Sequence, residues 1–189
     1  VDFVIVADGI FSSTKSFFEK KKNKPKYKKA LAVRVILKSK SELNINEQNI
    51  SLMLGSNTHI VFYPINKKKE LNVVCIIRSK KYDPDNIKSL IENTVLKQNP
   101  NLKVIFNDEI KSWPLYFTPK ILPSLNKKVF YIGDAFNGFL PTFAQGAGQS
   151  VESAHEIFNL LNEGKLGSYN TYFEERSRRA KIIRRRSNL

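Results

Sequence analysis

"VFYIGDAFNGFLPTFAQGAGQSVESA", residues 129–154, decides the fold. Its opening run is apolar on both alternations, the pattern of a strand covered on both faces in an α/β sheet. The run ends in Gly133 and Asp134. Pro141, Gln145, Gly146, Ala147 and Gly148 then lead into a helix in which Ala147, Val151, Ala154, Phe158 and Leu161 recur at spacings of 4, 3, 4 and 3, a single apolar stripe. In open α/β sheets ligands bind outside the carboxyl ends of strands, where this acid is delivered. An ionised Asp only accepts hydrogen bonds and so suits the hydroxyls of a sugar or sugar alcohol. Unpaired N–H groups and the positive end of the dipole emerge from a helix start. With no bulky side chains there, a flat, negatively charged ring can lie on the backbone. Small residues at a helix start also permit close helix packing, and that reading stands beside the first.

A second turn repeats the design. "FVIVA" (residues 3–7) is a β-branched run that leads into "VADGIFSS" (6–13), with Asp8 beside Gly9. Alone, Asp-Gly is an ordinary turn signal. Two such turns, each at the end of a buried strand, point to one crevice. The chain opens on Val1 and almost at once on a central strand, which predicts a further segment upstream.

Between the two turns the pattern changes. Residues 19–29, "EKKKNKPKYKK", read as a charged linker or exposed loop. "ALAVRVIL" (30–37), "ISLML" (50–54), "HIVFYPI" (59–65) and "LNVVCII" (71–77) read as strands, the last two joined by a hairpin loop. Residues 83–98 open with Asp-Pro and carry Ile87, Leu90, Ile91 and Val95 at helical spacing. "LKVIF" (102–106) and "WPLYF" (113–117) read as short strands, with Trp113 packed under the sheet. The fold class is therefore α/β, of mixed α+β character. Two pieces of one α/β domain, 1–27 and 119–163, bracket a mainly antiparallel β-sheet insertion, 28–118, and 164–189 form a basic C-terminal helix.

Bulk properties exclude other classes. At 189 residues and 41% hydrophobic content the chain is globular and can bury a core. The net charge of +15 comes mostly from lysine spread along the chain, the pattern of a solvated surface. Six of the eight arginines fall in the last helix, "SYNTYFEERSRRAKIIRRRS" (168–187). Cys75 has no partner, so no disulfide framework exists. His59 and His155 read as surface residues, and no metal site is expected. No apolar run reaches bilayer-spanning length, and no signal peptide is visible. The expectation is a soluble, cytoplasmic protein.

Taken together, "VIVADGIFSSTK" and the 129–154 stretch resemble the DG and GD motifs of the single-component FAD-dependent aromatic hydroxylases, a group that includes salicylate hydroxylase and the ubiquinone-pathway hydroxylases. The resemblance implies part of a Rossmann-like FAD-binding domain with an inserted substrate-binding sheet. By it, Asp8 and Gly9 lie near the pyrophosphate, with Ser12 and Lys15 in the same motif. Asp134 accepts from the ribitol, Pro141 shapes the ring pocket, and Gly146 and Ala147 offer backbone N–H groups to the flavin edge, with Gly133, Gln145 and Gly148 as further cofactor-binding candidates. Tyr63, Pro64, Phe136 and Phe139 are substrate-pocket candidates, with packing the competing reading for Tyr63 and both phenylalanines. The family chemistry implies NADH or NADPH as donor, O2, and a small aromatic substrate. No catalytic base is identified, since the cofactor carries the hard chemistry.

The chain departs from the family pattern at several points. Lys15 stands where the DG motif usually ends in Arg, Asn137 where His is common, and Ser153 where Asp often follows Glu. No GxGxxG occurs, so the chain is similar to the C-terminal portion of such an enzyme, and this fragment is expected to be inactive alone. Two further readings stay open. One is a related flavin-dependent reductase or halogenase. The other is a basic module binding nucleic acid or an anionic membrane through the last helix, although no nucleic-acid partner is expected and membrane contact would be peripheral.

Overall fold

The computed structural model describes residues 1–19, 24–38, 49–107, 109–165 and 167–187. In chain order its elements are β1 (Val4–Val6), α1 (Ser13–Phe18), β2 (Lys26–Leu37), β3 (Ser51–Leu54), β4 (Thr58–Ile65), β5 (Glu70–Arg78), α2 (Ile87–Ile91), β6 (Lys111–Phe117), β7 (Val129–Tyr131), α3 (Gly133–Asn137), α4 (Gly146–Asn162) and α5 (Tyr169–Ser187). They form two compact units: Val1–Tyr27 with Tyr116–Leu189, and Lys28–Leu115. The basic C-terminal helix falls within the first unit.

In the first unit β1 and β7 pair in parallel, with Val4 opposite Val129, Ile5 opposite Phe130 and Val6 opposite Tyr131. All three β7 residues are buried, as their sequence predicts. β1 is covered on one side only: Val6 is buried while Ile5 is 42% exposed. α5 packs by its aromatic residues, with Tyr169 and Tyr172 each edge-on to Phe130 at 5.4 Å. The Tyr172 hydroxyl also donates to the Tyr131 carbonyl at 2.8 Å.

α4 corrects the periodicity argument. Its predicted apolar stripe faces outward, with Val151 69%, Phe158 56% and Leu161 37% exposed. The buried face carries Gln149, Ser153 and Ile157. The cause is a guanidinium: Arg176 of α5, only 4% exposed in its side chain, lies against this face and binds its polar groups. A helix buries its polar side when the neighbour supplies matching donors. Arg184 is likewise spent internally, donating to the carbonyls of Thr118 and Pro119 and to the Asn137 side chain.

The second unit is a five-stranded sheet in the order β3-β4-β5-β2-β6, antiparallel along β3-β4, β4-β5 and β5-β2. Alternation sets its inner face: Leu31, Val33, Val35 and Leu37 from β2, Ile60 and Phe62 from β4, and Leu71, Val73, Cys75 and Ile77 from β5. Ile87, Ile91, Val95, Leu102 and Ile105 cover that face. Burial holds the Cys75 thiol up at about 12.

Three local expectations are revised. "LKVIF" lies in a 3-10 segment, Pro100–Asn107, because Leu102 and Ile105, three apart, turn to the same sheet. The second half of the charged 19–29 stretch belongs to β2, where Lys29 at φ +57 offsets the alternation and leaves Lys28 and Lys29 both exposed. Trp113 is 41% exposed, so it is not packed under the sheet. Residues 20–23 of the linker lie outside the described residues. Among the described residues, no helix is long and apolar enough to cross a membrane.

Candidate functional site

The DG turn is built by its own polar groups. Gly9 takes φ +83, a conformation that L side chains resist, and its carbonyl accepts from Ser12 N at 3.1 Å. Buried Ser12 caps α1, its hydroxyl accepting from Lys15 N at 2.8 Å. Asp8 accepts from Thr14 N at 3.1 Å. Slight burial opposes its ionisation, but hydrogen bonds from Ser12 and Thr14 prevail and lower its pKa.

Lys15 ties this turn to the GD segment. Its amine donates to the carbonyl of Ala135 at 2.8 Å and to that of Phe136 at 3.4 Å, and it stands 5.0 Å from the Tyr131 ring centroid. Desolvation lowers its pKa, with Glu19 opposing. Tyr131 in turn donates to Glu19 at 2.6 Å. A second tie is steric: a Cβ on Gly138 would come within 2.3 Å of Ile10 Cδ1. The Gly138 amide also donates to Thr118 Oγ1 at 2.9 Å.

Asp134 follows Gly133, which takes φ +55 and lies so close to Ser150 that a Cβ would come within 2.7 Å of its hydroxyl. Among the described residues nothing hydrogen-bonds the Asp134 carboxylate, and local desolvation pushes its pKa up. Asp134 is solvent-exposed, so its carboxylate is free to accept from a ligand without giving up an internal partner. Asp134 opens into a groove of about 440 Å³ lined also by Ile10, Ser12, Lys15, Ser16 and Thr118.

The helix start is as bare as its sequence. Pro141 begins a 3-10 turn that ends at Ala144 in the left-handed region, φ +50. Gln145 offers no side-chain cap, and the first bonded amide belongs to Gln149, donating to Gln145 O at 2.9 Å. The amides of Gly146, Ala147 and Gly148 therefore precede the helical ladder. A Cβ added at Gly146 or Gly148 would meet nothing within 4 Å.

The groove thus unites Asp134 with Ser12 and Lys15, while Asp8, Gly9, Pro141 and Gln145 to Gly148 are not among its lining residues. Phe136 is buried in the core with Val6, Val129, Tyr131 and Ala180, and half-buried Phe139 packs on the same cluster. Tyr63 and Pro64 lie half-buried on β4 of the other unit. Sequence reasoning passed over Ser16, Glu19 and Thr118. Ser12, Lys15, Ser16 and Glu19 share helical spacing, a signal that could have found the first two. Thr118 carries no such local signal.

Known solved structures share this fold. The chain is similar to the urate-complexed, FAD-complexed HpxO of Klebsiella pneumoniae, with a TM-score of 0.84 at 14% identity over 98% of this chain and 50% of that one. It is similar to salicylate hydroxylase in its substrate complex, with a TM-score of 0.78 at 19% identity over 100% of this chain and 54% of that one. Over 60 residues it is 35% identical to hispidin-3-hydroxylase of Neonothopanus nambi, covering 32% of this chain and 14% of that protein. The chain thus spans about half the length of the solved structures it matches. The family model described as squalene epoxidase matches residues 1–177, so the chain belongs to the squalene epoxidase family of FAD-dependent monooxygenases.

Proposed function

We propose that these residues form the ribitol and flavin-edge side of an FAD site in a monooxygenase that hydroxylates a small aromatic substrate, using NADH or NADPH and O2. The observation that carries the reading is the exposed Asp134 carboxylate in the first turn of α3, without a hydrogen-bond partner among the described residues, in a groove with Ser12 and Lys15. The residues fit the cofactor. Asp134 is an acceptor without a donor, and the space above Gly146 and Gly148 is open.

When bound, FAD supplies hydride acceptance and the activation of O2. The chain's own part is to hold and orient it. Asp134 accepts from the ribitol hydroxyls. The amides of Gly146 and Ala147 donate to the edge of the ring that becomes negative on reduction, with Gly148 leaving room beside them. Asp8, Gly9 and Ser12 face the pyrophosphate side, and Lys15 fixes the α3 backbone that carries Asp134. Gly133, Pro141 and Gln145 shape the approach. Tyr63, Pro64 and Phe139 are proposed on the substrate side. Phe136 acts there only from beneath, as a core residue.

The family match supports a second reading, an apolar alkene as the acceptor of oxygen in place of an aromatic ring. One experiment addresses both. The full protein carrying these residues is purified, its bound flavin is read by absorbance, and NADH and NADPH consumption is followed with phenolic acids and with a linear polyene. A yellow protein whose turnover answers to one substrate class is the expected result. A protein that takes up no flavin overturns the proposal, and so does flavin binding unaffected by Asp134→Ala.

A further inference from the structure

The bare helix start that suits a ligand is mechanically weak. No side chain caps it, no acid sits in its first turn, and Gly146 and Gly148 have low helix propensity. Something must hold it where a ring could rest on it. The hydrogen bonds identify the holder one turn in. Arg176 Nη2 donates to the Gln149 carbonyl at 3.1 Å and to Gln149 Oε1 at 2.8 Å. Its Nη1 donates to Glu152 Oε2 at 3.0 Å and to Glu156 Oε1 at 3.1 Å. Gln149 is the first α4 residue whose amide enters the ladder, so Arg176 grips the helix at the boundary between its open and bonded turns.

The other end of the arrangement is also fixed. Tyr172, one turn before Arg176 on α5, donates to the carbonyl of Tyr131, the last residue of β7. β7 delivers Asp134 three residues beyond its end. A covalent and hydrogen-bonded path therefore runs from Asp134 through Tyr131 and Tyr172 to Arg176 and Gln149. Gly133 adds a direct contact, pressed against Ser150 with no room for a Cβ.

We infer that Arg176 is a positioning residue that sets the glycine turn of α4 in register with Asp134. The inference rests on the proposed FAD reading for its functional meaning and on the hydrogen bonds alone for its structural content. Arg176 acts through Gln149. Glu152 and Glu156 face it from α4. Arg179 on α5 holds Glu152 from the solvent side at 3.1 Å.

The test compares Arg176→Met and Arg176→Lys with the parent by residue-resolved amide exchange and by flavin titration in the full protein. Loss of one member from a buried charged network releases its neighbours. Exchange at Gln149 to Val151 in Arg176→Met should therefore rise at least about tenfold more than exchange at Val129 to Tyr131. FAD affinity should fall at least about tenfold, with an altered visible circular dichroism of the bound flavin. Arg176→Lys keeps the charge with fewer donors and should recover part of both. A general loss of stability would raise exchange equally in β7 and α4, and that result overturns the inference. So does unchanged exchange at the start of α4. If Arg176→Met does not fold, Gln149→Leu, which removes one acceptor, should show the same pattern at smaller size, and an unchanged pattern there also overturns it. A parent protein without flavin would sink the proposed function and leave the exchange result to stand or fall by itself. Flavin bound equally by parent and Arg176→Met would sink this inference alone.

Discussion

Glycine at the start of α4 offers a test in which stability and binding move in opposite directions. Gly148 is helical, and a Cβ there meets no atom within 4 Å in the free protein. Replacing it with alanine removes the conformational entropy penalty of glycine, so Gly148→Ala should stabilise the free protein by about 0.5–1 kcal/mol. For a chain of this size that is a rise in melting temperature of roughly 1–4 °C. A methyl at the same position intrudes on the surface proposed to receive the flavin, and FAD affinity should fall at least about tenfold. Gly138→Ala is the internal control. Its backbone, at φ −72, accepts alanine, but the new Cβ would sit 2.3 Å from Ile10 Cδ1 and 2.7 Å from Cγ1. Overpacking there should cost about 1–3 kcal/mol. Ile10→Ala in the same chain removes both clashing atoms, so the double variant should lose less than the sum of the singles. Thermal unfolding followed by circular dichroism gives the stabilities, and quenching of flavin fluorescence gives the affinities. If Gly148→Ala destabilises the free protein, the glycine serves packing, and the argument from open space fails. If it stabilises the protein and binds FAD as tightly as the parent, the flavin does not lie there.

Local desolvation raises the pKa of Asp134 although the residue is exposed, so screening by solvent leaves its ionised form only a slight destabilising effect on the free fold. Stability should decline as pH rises from the ordinary carboxylate range through the raised folded value; Asp134→Asn should remove that decline while abolishing flavin uptake, as chemical denaturation across pH and flavin titration would show. Lys15→Met strips the donor from the Ala135 and Phe136 carbonyls and should cost about 1–3 kcal/mol in denaturant unfolding. With its thiol held at about 12 and no exposed surface, Cys75 should not react with a thiol reagent at pH 8 until the protein is unfolded, when its pKa returns to about 8.5 and one thiol titrates.

Strands were legible where alternation was strict. Leu31, Val33, Val35 and Leu37 announce one inner face, and the hairpin joining β4 to β5 follows from its polar loop. Residues 102–106 misled because a run such as "LKVIF" is short and β-branched either way; only the sheet beneath selects the three-residue spacing of Leu102 and Ile105. Lys26–Lys29 looked like a linker because composition reports side chains, while strand pairing is made by backbone groups indifferent to them. Trp113 was placed by its apolar character, yet the geometry leaves part of the ring exposed.

The candidate site divides in the same way between local and distant causes. Asp8, Asp134 and the bare glycine turn stand out in the sequence as candidates, because an acid at a strand end and a missing side chain are local facts. What secures them could not. The Gln149 to Arg176 bonds span 27 residues, and the Lys15 bond to Ala135 spans 120. The apolar stripe on α4 failed for this reason: periodicity identifies two faces of a helix but not which one a neighbour will claim. Here α5 supplies a guanidinium, and the favourable pairing is polar, so Gln149 and Ser153 turn inward and Val151 and Phe158 turn out. The same fact bears on charge. Of the six arginines on α5, Arg176 and Arg184 are bound to internal acceptors and Arg179 is paired with Glu152, so the basic character of this helix is in part structural. Arg176 and Arg184 tie α5 to α4 and to the backbone at 118–119, a use of charge that the number of arginines alone does not reveal.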